Sequence, residues 1–277
     1  MNKLSTEERK SVVAALVEGN SLRSVTRMTG VHRTTVMKLL CDLGRACSEY
    51  QYKVFRNLRC KQIQCDEIWS FTYAKERNCT REMKAQGFGD TWTWVAMCAD
   101  SKLVPCWHVG DRSAGTAYEF LSLLRSQISG RFQLSTDSHR AYIAIIPEVF
   151  GKDGIDYATV YKIFGNLPGT TVTAQTRYSP AVCKGVVKKI MTGNPDEDRI
   201  STSFIERQNL TMRMSMRRFT RLTNAFSKKV ENLTHALSLH YMHYNFCRVH
   251  QSLRVTPAME AGITDHVWDL EEIIQLL

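Results

Sequence analysis

Residues 61–73, KQIQCDEIWSFTY, alternate polar and apolar side chains and end in aromatic and β-branched residues, the period-two pattern of a half-buried strand. Two more strand-like runs follow, Thr91 to Ala99 (TWTWVAMCA) and Leu103 to Val109 (LVPCWHV), with Asp100 and Ser101 between them as a hairpin turn. Three consecutive strands of this kind predict an antiparallel meander. After Gly115 the period changes to helical, with Ala117, Phe120, Leu121 and Leu124 on one face. A fourth strand (Arg131 to Thr136), a helix (His139 to Val149) and a fifth strand (Tyr157 to Ile163) complete the order βββαβαβ, an α/β domain with a mixed sheet. Residues 165–200, punctuated by Gly165, Gly169, Gly185, Gly193, Pro168 and Pro195, read as an irregular insertion before the next helix.

Upstream, Ser5 and Glu8 make a capping box for a helix carrying Val12, Val13, Leu16 and Val17. Ser21 caps a second, short helix broken by Gly30, and Val31 to Leu43 form a third that Gly44 ends. This is the spacing of a helix-turn-helix, assigned to residues 1–46 with a linker over 47–60. The third helix opens with His32, Arg33, Thr34 and Thr35 and continues to Lys38, which places polar donors at the end that enters a major groove. A three-helix bundle with a solvated polar face is the alternative. The α/β domain spans 61–226. Residues 227–277 form a helical tail, whose last segment offers Trp268, Ile273, Ile274 and Leu277 to a second copy of the chain.

The 277 residues are 43% hydrophobic and 23% charged, a composition that supports a buried core and excludes a largely disordered chain. Of the net +10, residues 1–60 hold 11 Lys and Arg against 5 Asp and Glu, and residues 207–254 hold 9 against 1. Two basic segments therefore flank a mildly acidic middle, the layout of a chain that grips a polyanion at two places. The nine cysteines contain no CxxC pair, so a zinc knuckle is not expected. The start MNKLSTEERK lacks a signal-peptide pattern, and the expected setting is reducing, cytoplasmic and nucleoid-associated, with no membrane partner.

Asp66 stands in the middle of a strand, where aspartate is depleted and costly to bury unpaired. Asp137 ends the fourth strand, and Glu206 opens a helix in SFIERQN. With the first and fourth strands as neighbours, Asp66 and Asp137 converge at one edge and the helix brings Glu206 over them. An oxygen-only set of this kind suits magnesium or manganese, and two such ions serve phosphoryl transfer. Taken singly, each carboxylate has an ordinary alternative: Asp137 as a helix cap, Glu206 as a first-turn dipole partner, Asp66 in a buried ion pair. Arg207, Arg213, Arg217, Arg218 and Arg221 follow Glu206 and match phosphate oxygens near a scissile bond, or else a solvated helix face. His235, His240, His243 and His250 do not share ligand geometry, and Met212, Met214 and Met216 read as core or interface. His139 reads as a capping or packing residue, with contact to DNA or proton transfer as the alternative.

CDEIWSF around Asp66, LSTDSHRAY around Asp137, SFIERQNLTMR around Glu206 and the tail HYNFCRVHQSLRVTPAMEAG resemble the DDE transposases of bacterial insertion sequences, members of the RNase H-like integrase superfamily. The resemblance covers roughly residues 60–262. It implies an RNase H-like fold, a metal-binding catalytic triad of Asp66, Asp137 and Glu206 with two magnesium or manganese ions, and action on double-stranded DNA, both the terminal inverted repeats and the target. It also implies 3′-end cleavage followed by strand transfer, and a homodimer or higher oligomer to work on two ends. In that setting His250 and Arg254 position DNA or stabilise the loop before Thr256 and Pro257. The family's zinc-binding N-terminal cysteines, present in some relatives, are missing here, which leaves end recognition to the helix-turn-helix alone. A nuclease of the same fold that cuts without joining, and a DNA-binding regulator with an inactive domain, are the alternatives.

Overall fold

A computed structural model describes residues 4–151, 154–165, 182–220 and 224–277. Its elements, in order, are α1 (Thr6–Val17), α2 (Leu22–Thr29), α3 (Arg33–Val54), β1 (Gln62–Thr72), α4 (Arg81–Ala85), β2 (Gly89–Cys98), β3 (Cys106–Gly110) and α5 (Ala114–Gln127). They continue with β4 (Gln133–Asp137), α6 (Arg140–Phe150), β5 (Asp156–Gly165), β6 (Val182–Thr192), α7 (Ser203–Ser215), α8 (Val230–Met242), α9 (Pro257–Glu260) and α10 (Leu270–Gln275). The Ser5 and Glu8 capping box forms as its spacing requires.

The six strands make one mixed sheet in the order β3-β2-β1-β4-β5-β6. β1, β2 and β3 pair antiparallel, β4 lies parallel to both β1 and β5, and β6 returns antiparallel to β5. Helices α5 and α6 cover one face, where Trp94 packs edge-on to Tyr142 and against Phe120. Helix α7 lies on the other face against β1 and β2.

The structure corrects the sequence reading at three places. Residues 182–192, inside the stretch read as an irregular insertion, are strand β6; residues 166–181 of that stretch lie outside the described residues. β6 is an exposed edge strand over most of its length, with Val186 and Val187 both about half accessible, so no buried face imposes an apolar alternation that periodicity could detect.

Helix α3 does not stop at Gly44 but runs to Val54, through most of the supposed linker. Gly44 is there because α8 crosses so closely that a Cβ would lie 2.5 Å from the His235 Cβ and its backbone oxygen. Glycine at this position serves close helix packing rather than a turn.

The third correction concerns the tail. Ile273 and Ile274 of α10 are buried against α1 and α3, and Trp268 packs on Tyr50 and Phe246. Three of the four apolar residues that the sequence offers to a second copy are thus used inside the chain, while Leu277 stays exposed. The N-terminal helices and the tail share one core with the sheet. Asn245 joins tail to sheet by accepting from the Val104 amide (3.0 Å) and donating to the Val104 carbonyl (3.0 Å), so the last turn before the loop at 248–256 is clamped to the β2–β3 connection. No helix among the described residues is long and apolar enough to cross a membrane.

Candidate metal centre

Parallel pairing of β1 with β4 runs in register from Gln62 opposite Gln133 to Cys65 opposite Thr136. One step further, Asp66 comes level with Asp137, on strands ~4.8 Å apart. Asp66, Glu67 and Asp137 bring ligand oxygens within 4.8 Å of one another, and this is the group of metal-ligating side chains found among the described residues. Successive strand residues face opposite sides, so Asp66 approaches Asp137 from the α7 face and Glu67 from the face covered by α5 and α6.

Each carboxylate has its own fixing contact. Asn209 of α7 donates from Nδ2 to Asp66 Oδ2 at 2.8 Å. The His139 amide donates to Asp137 Oδ1 at 2.9 Å at the entry to α6, a cap-like contact that leaves the other oxygen available. Arg112 holds Glu67 Oε2 at 3.1 Å and stacks on Trp92. The other Glu67 oxygen, Oε1, is buried without a hydrogen-bond partner, 3.6 Å from His139 Nδ1.

The electrostatics match this crowding. Burial, and then the charge of Asp137, push Asp66 up to about 7. Burial, Asp137 and Asp66 push Glu67 up to about 8, against the opposing pull of Arg112. Burial and the Arg112 guanidinium hold His139 below the ordinary imidazole range. Like charges in a low-dielectric pocket disfavour ionisation until a cation compensates them.

Glu206 sits in the first turn of α7, placed by β1: Gln64 Oε1 accepts from the Phe204 amide (2.9 Å) and the Ile205 amide (3.1 Å), capping the helix start. Gln64 and Asp66 are two residues apart on one strand face, so the residue that seats α7 and the carboxylate beneath it are set by one backbone. Glu206 is near enough to raise Asp66 further, but it is not in the three-residue cluster. Its carboxylate accepts from Thr202 Oγ1 at 2.7 Å and is paired through both oxygens with Lys162 of β5.

Of the other residues singled out in the sequence, Arg207 is exposed on α7 beside Glu206. Arg213 lies near the end of α7, and Arg217 and Arg218 just beyond it. Arg221 lies outside the described residues. His32 caps α3, its Nδ1 accepting from the Thr34 amide, and Arg33, Thr34, Thr35 and Lys38 are exposed on the first two turns, with Lys38 paired to Asp42. His250 and Arg254 belong to the loop after the Asn245 clamp, where burial, and then the charge of Lys102 in the β2–β3 connection, hold His250 below the ordinary imidazole range. The structure does not bring these two to the carboxylates. The four histidines form no metal-ligating group among the described residues.

Glu67, Gln64, Lys162, Asn209 and Arg112 were missed as site residues. The adjacent pair Asp66-Glu67 in a strand was the one signal that pointed to Glu67. The partners of the remaining four lie on other elements, so no local pattern marks them.

No family model matches the chain, and no curated protein matches it. Among solved structures the chain is similar to a crystal structure of the Mos1 strand transfer complex at 13% identity and a TM-score of 0.24, over 87% of this chain and 76% of that one. A likeness at that level carries no weight for fold or function.

Proposed function

We propose that the protein is a divalent-metal-dependent DNA transposase with an RNase H-like catalytic domain, which cuts 3′ ends at the terminal inverted repeats of a mobile element and joins them to target DNA. The observation that carries the reading is the parallel, in-register pairing of β1 with β4, which sets Asp66 and Asp137 side by side with Glu206 of α7 above the same face. Carboxylates that converge in this way suit phosphoryl transfer with metal ions, which needs no protein nucleophile.

The donor set fits magnesium or manganese. It is all oxygen, one buried Glu67 oxygen has no hydrogen-bond partner, and burial together with the neighbouring carboxylates raises Asp66 and Glu67 so that a bound cation would favour their ionised forms. Asp66 and Asp137 would hold the ions, with Glu206 completing the second site once released from Lys162 and Glu67 adding charge from the far face. When bound, such ions activate an attacking oxygen and stabilise the leaving one in an in-line displacement at phosphorus. The chain's own residues orient the ligands: Asn209 fixes Asp66, the His139 amide fixes Asp137, Gln64 fixes the start of α7, and Arg112 fixes Glu67.

End recognition is assigned to the start of α3, with His32, Arg33, Thr34, Thr35 and Lys38 facing DNA, and phosphate contact to Arg207, Arg213, Arg217, Arg218 and Arg221. The working unit on DNA is a dimer or larger, because two ends must be joined. The test is Asp66→Asn, Asp137→Asn and Glu206→Gln, each assayed for binding of a labelled terminal repeat and for its magnesium-dependent joining to plasmid. Binding survives and joining is lost in all three. Full joining by any one of them removes that residue from the triad, and cutting without joining by the wild type makes the protein a nuclease instead.

A further inference from the structure

The two basic segments of the sequence meet in space. A groove of about 1230 Å³ has one wall built from residues 19–24, 33–34 and 37, at the starts of α2 and α3, and the other from residues 217–218, 224–229 and 232, leading into α8. Six cations line it, Arg23 and Arg33 from the first wall and Arg217, Arg218, Lys228 and Lys229 from the second, and its lining contains no carboxylate. None of the six forms an ion pair among the described residues. Arg218 donates from Nε to Ser227 Oγ at 2.9 Å, and burial lowers it to about 10, so it keeps its charge at neutral pH.

Helix ends add to the field. α2 and α3 have no acidic residue in their first turns, and the N-cap of α8 is Lys229. An N-terminus normally draws anionic side chains, and here three of them border a groove of cations. Glu231, in the first turn of α8, lies outside the lining. Positive charge without ion-pair partners, drawn from two segments far apart in the sequence, makes a field that attracts an external polyanion.

Its spread decides the kind. A single phosphate or sulfate satisfies two or three donors, whereas duplex DNA presents one charge per ~1.7 Å of axis and engages a line of them. α7 carries the chain ~14 Å from Glu206 to Ser215 before Arg217 is reached, which sets the groove apart from the carboxylates.

We infer that this groove is a duplex-DNA site in which both basic segments grip one continuous phosphate track. The inference rests on the transposase reading and deepens it. It adds Arg23, Lys228 and Lys229 to the DNA contacts, and it assigns Arg217 and Arg218 to the end-recognition surface rather than to the scissile phosphate.

The test is fluorescence anisotropy of the full chain with a short labelled duplex of mixed sequence, titrated over a range of salt. For Lys228→Ala/Lys229→Ala, affinity falls about tenfold for every duplex sequence, and the slope of log affinity against log salt flattens by roughly 2, near 0.9 per lost phosphate contact. Lys228→Arg/Lys229→Arg restores both. Arg77→Ala/Arg81→Ala, exposed outside the groove, changes neither. Wild-type affinity and slope in the alanine variant overturn the groove and leave the transposase reading standing. A wild-type chain that binds no duplex overturns both, and a preference for single-stranded RNA over duplex of equal length overturns the choice of partner.

Discussion

Lys162 of β5 and Glu206 of α7 are joined through both carboxylate oxygens, so the α7 carboxylate beside the Asp66, Glu67 and Asp137 cluster is held by a lysine cation. On the proposed function Glu206 is a metal ligand, and a divalent ion drawing on its oxygens would compete with Lys162 for them.

Lys162→Met therefore strengthens metal binding. The manganese concentration at half-saturation, read by calorimetric titration, falls by up to about fivefold, the equivalent of ~1 kcal/mol for a partly exposed pair. Equal or weaker binding would show that Lys162 and the metal do not share Glu206.

The carboxylate cluster makes stability depend on pH in a stated direction. Asp66 is raised from 3.8 to about 7 and Glu67 from 4.5 to about 8. Each folded-state value lies above the unfolded one, so the contribution is complete below about 4 and is lost as pH rises through 7 and 8. In chelator, Asp66→Asn gains Tm over the wild type, and the gain grows between pH 5 and pH 8. Added magnesium raises the wild-type Tm more at pH 8 than at pH 5. A difference between variant and wild type that stays flat over this range removes the cluster as its source.

Gln64→Leu preserves volume but takes away the oxygen that caps α7. Two amide donors lose their partner at a cost of ~1–3 kcal/mol, visible as a lower midpoint in urea. Because Glu206 lies two residues beyond Phe204 in that same first turn, strand joining drops as well while DNA binding stays. Unchanged joining would mean that the start of α7 is positioned by something other than β1.

Gly44→Ala puts a methyl 2.5 Å from the His235 Cβ and backbone oxygen, neither of which can swing aside. Helices α3 and α8 must separate, and overpacking of this kind costs ~1–3 kcal/mol. Chemical denaturation would settle it, since a midpoint equal to that of the wild type contradicts the close crossing.

Much of this molecule is written in local pattern. The meander, α5, β4, α6 and β5 followed from period-two and period-3.6 spacing, because each buries one face against a neighbour and burial dictates which positions are apolar. The capping box at Ser5 and Glu8 and the strand-borne Asp66 were legible for the same reason: their meaning lies within a few residues of themselves. β6 was not legible, because an edge strand exposed on most of its length need not alternate, and Gly44 was misread because a glycine that ends a helix and one that admits a neighbouring helix are the same letter.

What tertiary structure alone decided is pairing between distant residues. The convergence of Asp66 with Asp137 was expected from strand order, but the entry of Glu67 beside them, the bond of Gln64 to α7, the pairing of Lys162 with Glu206 and the meeting of the two basic segments in one groove were not. Residue type and spacing encode how an element is buried, since that is a one-body property of each side chain. Which charge meets which is a two-body property, set by strand order and helix crossing, and it becomes definite only when the chain has closed on itself.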